Sequence, residues 1–243
     1  MTPWKDANYP TLDLREHRLY QSRFADRNIE YKNSPILFIG SCDIGGTKQK
    51  KYWHEIYAEN RRLVNYVKIG QPIQSFSSLM RTVYTYLSNV KEKPKSIYMV
   101  VPMTSAEHVI ENKCYSVNYQ KLPVEHLHRL HIIPESSKQI FQKLHEAYNL
   151  SDCLDERIYN FGREFSFLEM MCKAYNIELK WTFNLTLTSK FHFGDVNNFV
   201  NSHDFAKSTY IGTKENNSYD LVNYCPTYIA HELLADLFIE SEK

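Results

Sequence analysis

Residues 35–44 read P-I-L-F-I-G-S-C-D-I. An unbroken apolar run, 36–39, halts at Gly40, and Ser41, Cys42 and Asp43 follow at once. A parallel strand buried on both faces reads this way, as a short continuous apolar run rather than an alternating one. Its carboxyl end opens on a tight turn, and open α/β sheets place their chemistry at that end of the strands. A hydroxyl and a thiol stand side by side there.

Outward from this strand, apolar runs and helical stripes take turns. Residues 50–63 fit a first helix, with Tyr52, Ile56 and Leu63 near one face. Residues 64–69 form a second strand that stops at Gly70-Gln71-Pro72, a turn signal. Ser75 is placed to cap the next helix, where Phe76, Leu79, Met80, Val83 and Leu87 recur at helical spacing. A third strand, 97–101, is stopped by Pro102. Residues 103–133 give no clean period, and 136–148 fit a helix with Ile140, Phe141 and Leu144 inward. Residues 151–175 fit one long or broken helix with Phe165, Leu168, Cys172 and Tyr175 on a stripe. A fourth strand, 177–183, is followed by a loop-rich region to 224. The closing helix, 227–239, carries Ile229, Leu233, Leu234, Leu237 and Phe238 on an apolar face. Strands alternating with helices predict a mostly parallel sheet covered on both faces, a three-layer α/β/α fold with right-handed crossovers. Residues 1–34 read as an N-terminal arm packed on a single domain, 35–243.

Composition narrows the function classes. At 243 residues the chain is long enough to bury one α/β core. Its 29 basic and 28 acidic residues leave a formal net charge of +1, which gives no footprint for nucleic acid. No apolar run approaches the roughly 18 residues of a membrane helix. The first ten residues lack the apolar centre of a secretory signal, so the chain is expected in a cytoplasm. Five cysteines without a C-x-x-C argue against a disulfide framework and a zinc ribbon. The preference for Lys, Asn, Ile and Tyr over Gly, Ala and Arg is what AT-rich coding produces.

Four blocks, in order, resemble the SGNH, or GDSL-like, hydrolase superfamily, whose members have a flavodoxin-like α/β/α fold and include esterases and carbohydrate deacetylases. The family's apolar strand and G-D-S correspond to I-L-F-I-G-S-C, which puts Ser41 at the family's Asp position and Cys42 at its nucleophile position. Its N-x-G-x-x-G corresponds to K-I-G-Q-P-I, which keeps Gly70 and has Ile73 where the last glycine donates to the oxyanion. Its Asn after the third strand is missing from V-V-P-M-T-S, where Thr104 and Ser105 are the nearest polar groups. Its D-x-x-H block and closing G-H-x-x-L-A helix correspond to N-Y-C-P-T-Y-I-A-H-E-L-L-A. Asn223 then takes the acid position, Cys225 the base position, and His231 a place that is mostly structural in the family. The wording of G-Q-P-I-Q-S-F-S-S-L-M-R-T-V and F-L-E-M-M-C-K-A looks most like SGNH-like proteins of tailed bacteriophages.

The resemblance therefore implies a catalytic region of Cys42, Ser41, Cys225, Asn223 and His231, with Gly70, Ile73 and Thr104 around the oxyanion. It implies a phage protein, in the host cytoplasm or the virion, that has lost the standard Ser-His-Asp triad and serves as a binding or structural component, with a glycan or another phage protein as partner. The alternative is an active ester hydrolase, on carbohydrate esters among others, with Cys42 or Ser41 as nucleophile and a base from another loop such as His203 or His108. A flavodoxin-like cofactor binder is a third reading.

The chemistry decides the order of these readings. Acyl transfer needs a nucleophile, a base and oxyanion donors, and losing one donor costs on the order of 10²–10³ in rate. A thiolate tolerates a weaker base than a hydroxyl does. His203 and Asp204 read as loop residues. H-L-H-R-L-H puts His128 and His131 on one helical face but not His126, which makes a poor metal site. Gly45-Gly46-Thr47-Lys48 holds only part of the G-x-x-x-x-G-K-[ST] phosphate loop, so no cofactor and no metal are expected.

Overall fold

The computed structural model describes residues 33–40, 44, 51–70, 76–101, 105–110, 113–118, 139, 142–143, 146, 154–183, 210–212 and 228–243. Its elements, in chain order, are β1 (Ile36–Ile39), α1 (Trp53–Asn60), β2 (Val67–Ile69), α2 (Phe76–Asn89), β3 (Ser96–Val101), β4 (Ser105–Ile110), β5 (Lys113–Asn118), α3 (Leu154–Ala174), β6 (Glu178–Phe183) and α4 (Tyr228–Glu240).

The main sheet runs β2-β1-β3-β6, with every neighbouring pair parallel. Tyr210 bridges in parallel to Trp181 on the open side of β6, and the Ile211 N–H donates to the Trp181 carbonyl at 3.1 Å. This stub stands where a fifth strand would complete the doubly wound order of flavodoxin-like sheets. β1 is central, which explains its uninterrupted apolar run: Leu37, Phe38 and Ile39 are all fully buried.

Side-chain alternation along β1 divides the core into two layers. Leu37 and Ile39 pack with Leu79, Met80 and Val83 of α2 and with Phe161, Phe165 and Leu168 of α3. Phe38 points the other way, against Trp53 and Tyr57 of α1 and Leu234 and Phe238 of α4. Helices on both faces of a parallel sheet make this a three-layer α/β/α fold. Burying a side chain such as Phe165 stabilises the fold by about 1.5–3 kcal/mol.

The buried faces differ from the sequence reading in three places. The inward face of α1 is Trp53 and Tyr57, one turn apart, with Ile56 and Leu63 only partly covered. The α3 stripe runs Phe161, Phe165, Leu168, Cys172, and Tyr175 is exposed because the helix has ended. Asn176 takes φ +54° there, a left-handed stop that Asn tolerates, and the Ile177 N–H closes back on the Cys172 carbonyl at 2.8 Å. On α4 the buried set is Ala230, His231, Leu234, Ala235 and Phe238, while Ile229 is exposed. Two small residues and a hydrogen-bonded imidazole let α4 lie close on α1, which turns the larger aliphatic side chains partly outward.

One element has no counterpart in the sequence reading. β4 and β5 form an antiparallel hairpin, with Ser105 opposite Asn118 and Ile110 opposite Lys113, inside the region that shows no clean period. Gln139, Gln142, Lys143 and Glu146, within the helix expected at 136–148, are helical and exposed. The arm at 1–32 lies outside the described residues.

Candidate functional site

β1 and β2 end side by side at Gly40 and Gly70. The Gly40 N–H donates to the Ile69 carbonyl at 3.1 Å, which carries the pairing to the last residue of each strand. Gly70 has φ +156°, and a Cβ built on it would stand 2.0 Å from the Gly40 carbonyl oxygen. Backbone cannot withdraw as a side-chain tip can, so only glycine fits. The same Cβ would meet Ile44 Cγ2 at 2.8 Å. Ile44 is buried in the α1–α4 layer, so an apolar side chain lies against the joined strand ends.

Beside these ends sits the start of α1, whose first backbone N–H groups are met by side chains. The Tyr52 N–H donates to the Glu55 carboxylate at 3.0 Å, and the Trp53 N–H donates to His231 Nδ1 at 3.3 Å. A backbone N–H can only donate, so Nδ1 is the bare nitrogen and the proton of the neutral ring sits on Nε2. His231 is fully buried, with the Tyr52 ring edge-on at 5.3 Å. Burial pushes its pKa down to about 4, so the imidazole is neutral at pH 7. Among the described residues Nε2 has no hydrogen-bond partner.

Three further side chains gather at this edge, and the sequence reading gave none of them a role at the site. Lys68, two residues before Gly70, brings Nζ within 3.3 Å of His54 Nε2. The same ammonium lies 5.8 Å from the centre of the Tyr52 ring, which stacks on the His54 imidazole. An ammonium only donates, so His54 Nε2 accepts. The signal in the sequence was slight: a histidine opening a helix, and a basic residue in an otherwise apolar strand.

Of the sequence-derived candidates, Gly70 and His231 are described. Gly70 closes against Gly40, and His231 stands at the head of α1. Ser41 and Cys42 lie outside the described residues, between Gly40 and Ile44. Ile73, Thr104, Asn223 and Cys225 also lie outside them, as do His126, His128, His131, His203, Asp204 and the 45–48 segment. His108 falls on β4, with its Cα opposite that of Tyr115. Among the described residues no group of three His, Cys, Asp or Glu side chains is arranged to hold a metal ion, and no helix is long and apolar enough to cross a membrane.

Compared with known protein families and with curated proteins, the chain has no match. Solved structures do match. A psychrotrophic esterase, EstA from Pseudoalteromonas sp., is 10% identical over 86% of this chain and 97% of its own, with a TM-score of 0.46. A GDSL-like lipase from Bacteroides thetaiotaomicron is 11% identical over 85% of this chain and 86% of its own, with a TM-score of 0.44. LAE5, an α/β hydrolase enzyme from the metagenome of Lake Arreo, is 10% identical over 87% of this chain and 96% of its own, with a TM-score of 0.43. The fold class stands on the sheet order and the two helical layers themselves.

Proposed function

We propose that this chain is an SGNH-hydrolase-like scaffold that has exchanged its Ser-His-Asp triad and works as a binding or structural component of a tailed phage. Its partner on this reading is a glycan or another phage protein, met in the host cytoplasm or on the virion. The observation that carries the reading is that His231, the one imidazole among the family-equivalent positions and so the substitute for a base where Cys225 stands, is committed to the frame. A general base for acyl transfer works best with a pKa near the operating pH and a lone pair facing the nucleophile. Here the lone pair of the neutral ring is on Nδ1 and is committed to the Trp53 N–H, while burial holds the pKa near 4. Cys225 at the family's base position, Ile73 at its donor position and the missing Asn after β3 point the same way. So does Ile44, which occupies space against Gly70.

A second reading, an ester hydrolase using Cys42 or Ser41, draws support from the position of Gly40. That residue follows a central parallel strand at its carboxyl edge, the edge where α/β enzymes act, and Ser41 and Cys42 are next in the sequence. One experiment separates the two readings. Hydrolysis of p-nitrophenyl acetate is followed at neutral pH for the wild type, Cys42→Ala and Ser41→Ala. The binding reading expects no turnover that either substitution removes. Turnover abolished by one of them, together with selective iodoacetamide labelling of Cys42 in the wild type, would establish the hydrolase and end the first reading.

A further inference from the structure

Toward the amino-terminal ends of the strands, away from Gly40 and Gly70, side chains of α1, β3 and β6 gather at the foot of α4. Tyr57 and Tyr98 stand with ring centres 5.0 Å apart and are 2% and 4% exposed. Tyr98 and Lys180 are register partners across β3 and β6, so their side chains leave the same face of the sheet. Arg61 follows the last residue of α1. The Tyr57 and Tyr98 hydroxyls both donate to Glu242 Oε1, the second at 2.5 Å, and the Arg61 guanidinium pairs with Oε2. Arg61 also donates to the Ile239 carbonyl at 3.2 Å. The Lys180 ammonium donates to the Ser241 carbonyl at 3.0 Å and lies 3.4 Å from Glu178.

The division of roles is one-sided. In these contacts two hydroxyls, a guanidinium and an ammonium donate, and the foot of α4 supplies the acceptors. A carboxylate fits such a set, one oxygen taking both hydroxyls and the other the guanidinium. The tyrosines do not depend on Glu242 for their place, since both are packed in the layer that holds Phe38, Trp53 and Phe238. A buried hydroxyl left unmet is costly, so the emptied cradle favours a new acceptor.

Glu242 is lightly held by comparison. Ser241, Glu242 and Lys243 carry no apolar side chain, and their N–H groups bond back to α4. Leu234, Ala235 and Phe238 keep α4 on the layer whether or not its foot is engaged.

We infer that Tyr57, Tyr98 and Arg61 form a carboxylate-binding site whose built-in ligand is Glu242, and that a small free carboxylate takes the site when Glu242 is withdrawn. The tethered side chain competes at an effective concentration on the order of millimolar, so it holds the site against dilute acids. The site lies apart from the carboxyl edge and stands on either reading of the chemistry there.

The test uses the full chain. Wild type, Glu242→Ala and Arg61→Gln/Glu242→Ala are unfolded in urea at neutral pH, with sodium acetate replacing sodium chloride at constant ionic strength. Acetate supplies the carboxymethyl group that Glu242→Ala removes. At about 0.1 M acetate the unfolding constant of Glu242→Ala should fall about 10-fold, against less than about 2-fold in the wild type, where Glu242 fills the site. Arg61→Gln/Glu242→Ala should respond no more than the wild type. A Glu242→Ala protein that acetate stabilises no more than the wild type, or a response that survives in Arg61→Gln/Glu242→Ala, would overturn the assignment. If Glu242→Ala does not fold in chloride, refolding yields give the same reading: recovery in acetate supports the site, and equal yields in the two salts overturn it.

Discussion

Replacing His231 tests the centre of the site. In His231→Leu the Trp53 N–H loses its acceptor where no water reaches, since both residues are fully buried. An unmet buried donor costs about 1–3 kcal/mol. In His231→Asn the side-chain oxygen stands close to where Nδ1 stands now, so the hydrogen bond survives and the titratable ring is gone. The pH dependence separates the cap from the charge. The folded-state pKa is depressed from 6.5 to about 4, so below pH 6.5 the unfolded chain binds a proton that the native state refuses. Stability from this group is complete above pH 6.5 and is lost as pH falls toward 4, by up to about 3 kcal/mol over that window. Urea unfolding at pH 7.5 and pH 5, followed by tryptophan fluorescence, reads both effects. His231→Leu should lose roughly 1–3 kcal/mol at pH 7.5. His231→Asn should show a shallower loss than the wild type between the two pH values, and the comparison cancels whatever other groups contribute. A His231→Leu protein within about 0.5 kcal/mol of the wild type, which is ordinary for an inconsequential surface change, would refute the capping role. Equal pH slopes in the wild type and His231→Asn would refute the buried neutral ring.

Gly70→Ala should cost roughly 3–5 kcal/mol or abolish soluble expression, because its Cβ meets the Gly40 carbonyl; thermal unfolding measures it. Glu242→Ala should lower stability by about 2–4 kcal/mol in urea, since it strips the acceptor from the Tyr57 and Tyr98 hydroxyls and the partner from Arg61, while Glu242→Gln keeps an acceptor and should lose less than half as much. Glu169→Gln should stabilise the protein at pH 8 by about 1 kcal/mol and have little effect at pH 4, because burial raises the folded-state pKa to about 7 and the wild type loses stability as pH rises from 4.5 through 7; the group is only half buried, so solvent screens the effect, and urea midpoints at the two pH values read it.

Elements whose residues lie in the buried layers were legible in the sequence because packing writes itself into periodicity. The reading 36–39 for β1 agrees with the structure at both ends, and β3, β6, α3 and α4 fall within a few residues of their expected bounds. β2 is shorter than expected because Val64 stands fully exposed outside it. The β4–β5 hairpin went unread: S-A-E-H-V-I and K-C-Y-S-V-N carry neither the unbroken apolar run that marks β1 and β3 nor a clean apolar–polar alternation. The faces of α1 and α4 were misjudged for a related reason. Hydrophobicity rewards Leu233 and Leu237 over Ala230, Ala235 and His231, yet small residues and a hydrogen-bonded imidazole are what a close helix pair buries. Gly70 stood out as a turn signal, while its contact with Gly40 depends on the pairing of two strands and has no local signature. The Lys68–His54 pair belongs to the same class, a contact between β2 and α1 that no spacing along one element could suggest.

The two ends of α4 explain why the His231 ring would make a poor base even if a nucleophile lay near. At one end the imidazole holds the first N–H of α1. At the other, Glu242 accepts from Tyr57 of α1 and, at 2.5 Å, from Tyr98 of β3, and it pairs with Arg61, while the Lys180 ammonium of β6 donates to the Ser241 carbonyl. Burial and the bond to Glu242 push the Tyr57 pKa up to about 12, so both hydroxyls remain donors across the physiological range. α4 is thus fixed to α1 at its head and to α1 and the sheet at its foot, and it has little freedom to slide. Turning Nδ1 toward a substrate would uncap α1 inside the core, at about 1–3 kcal/mol, before any proton moved. Every 1.4 kcal/mol of that is roughly tenfold in rate, and protonating a ring whose pKa lies near 4 adds its own penalty at pH 7.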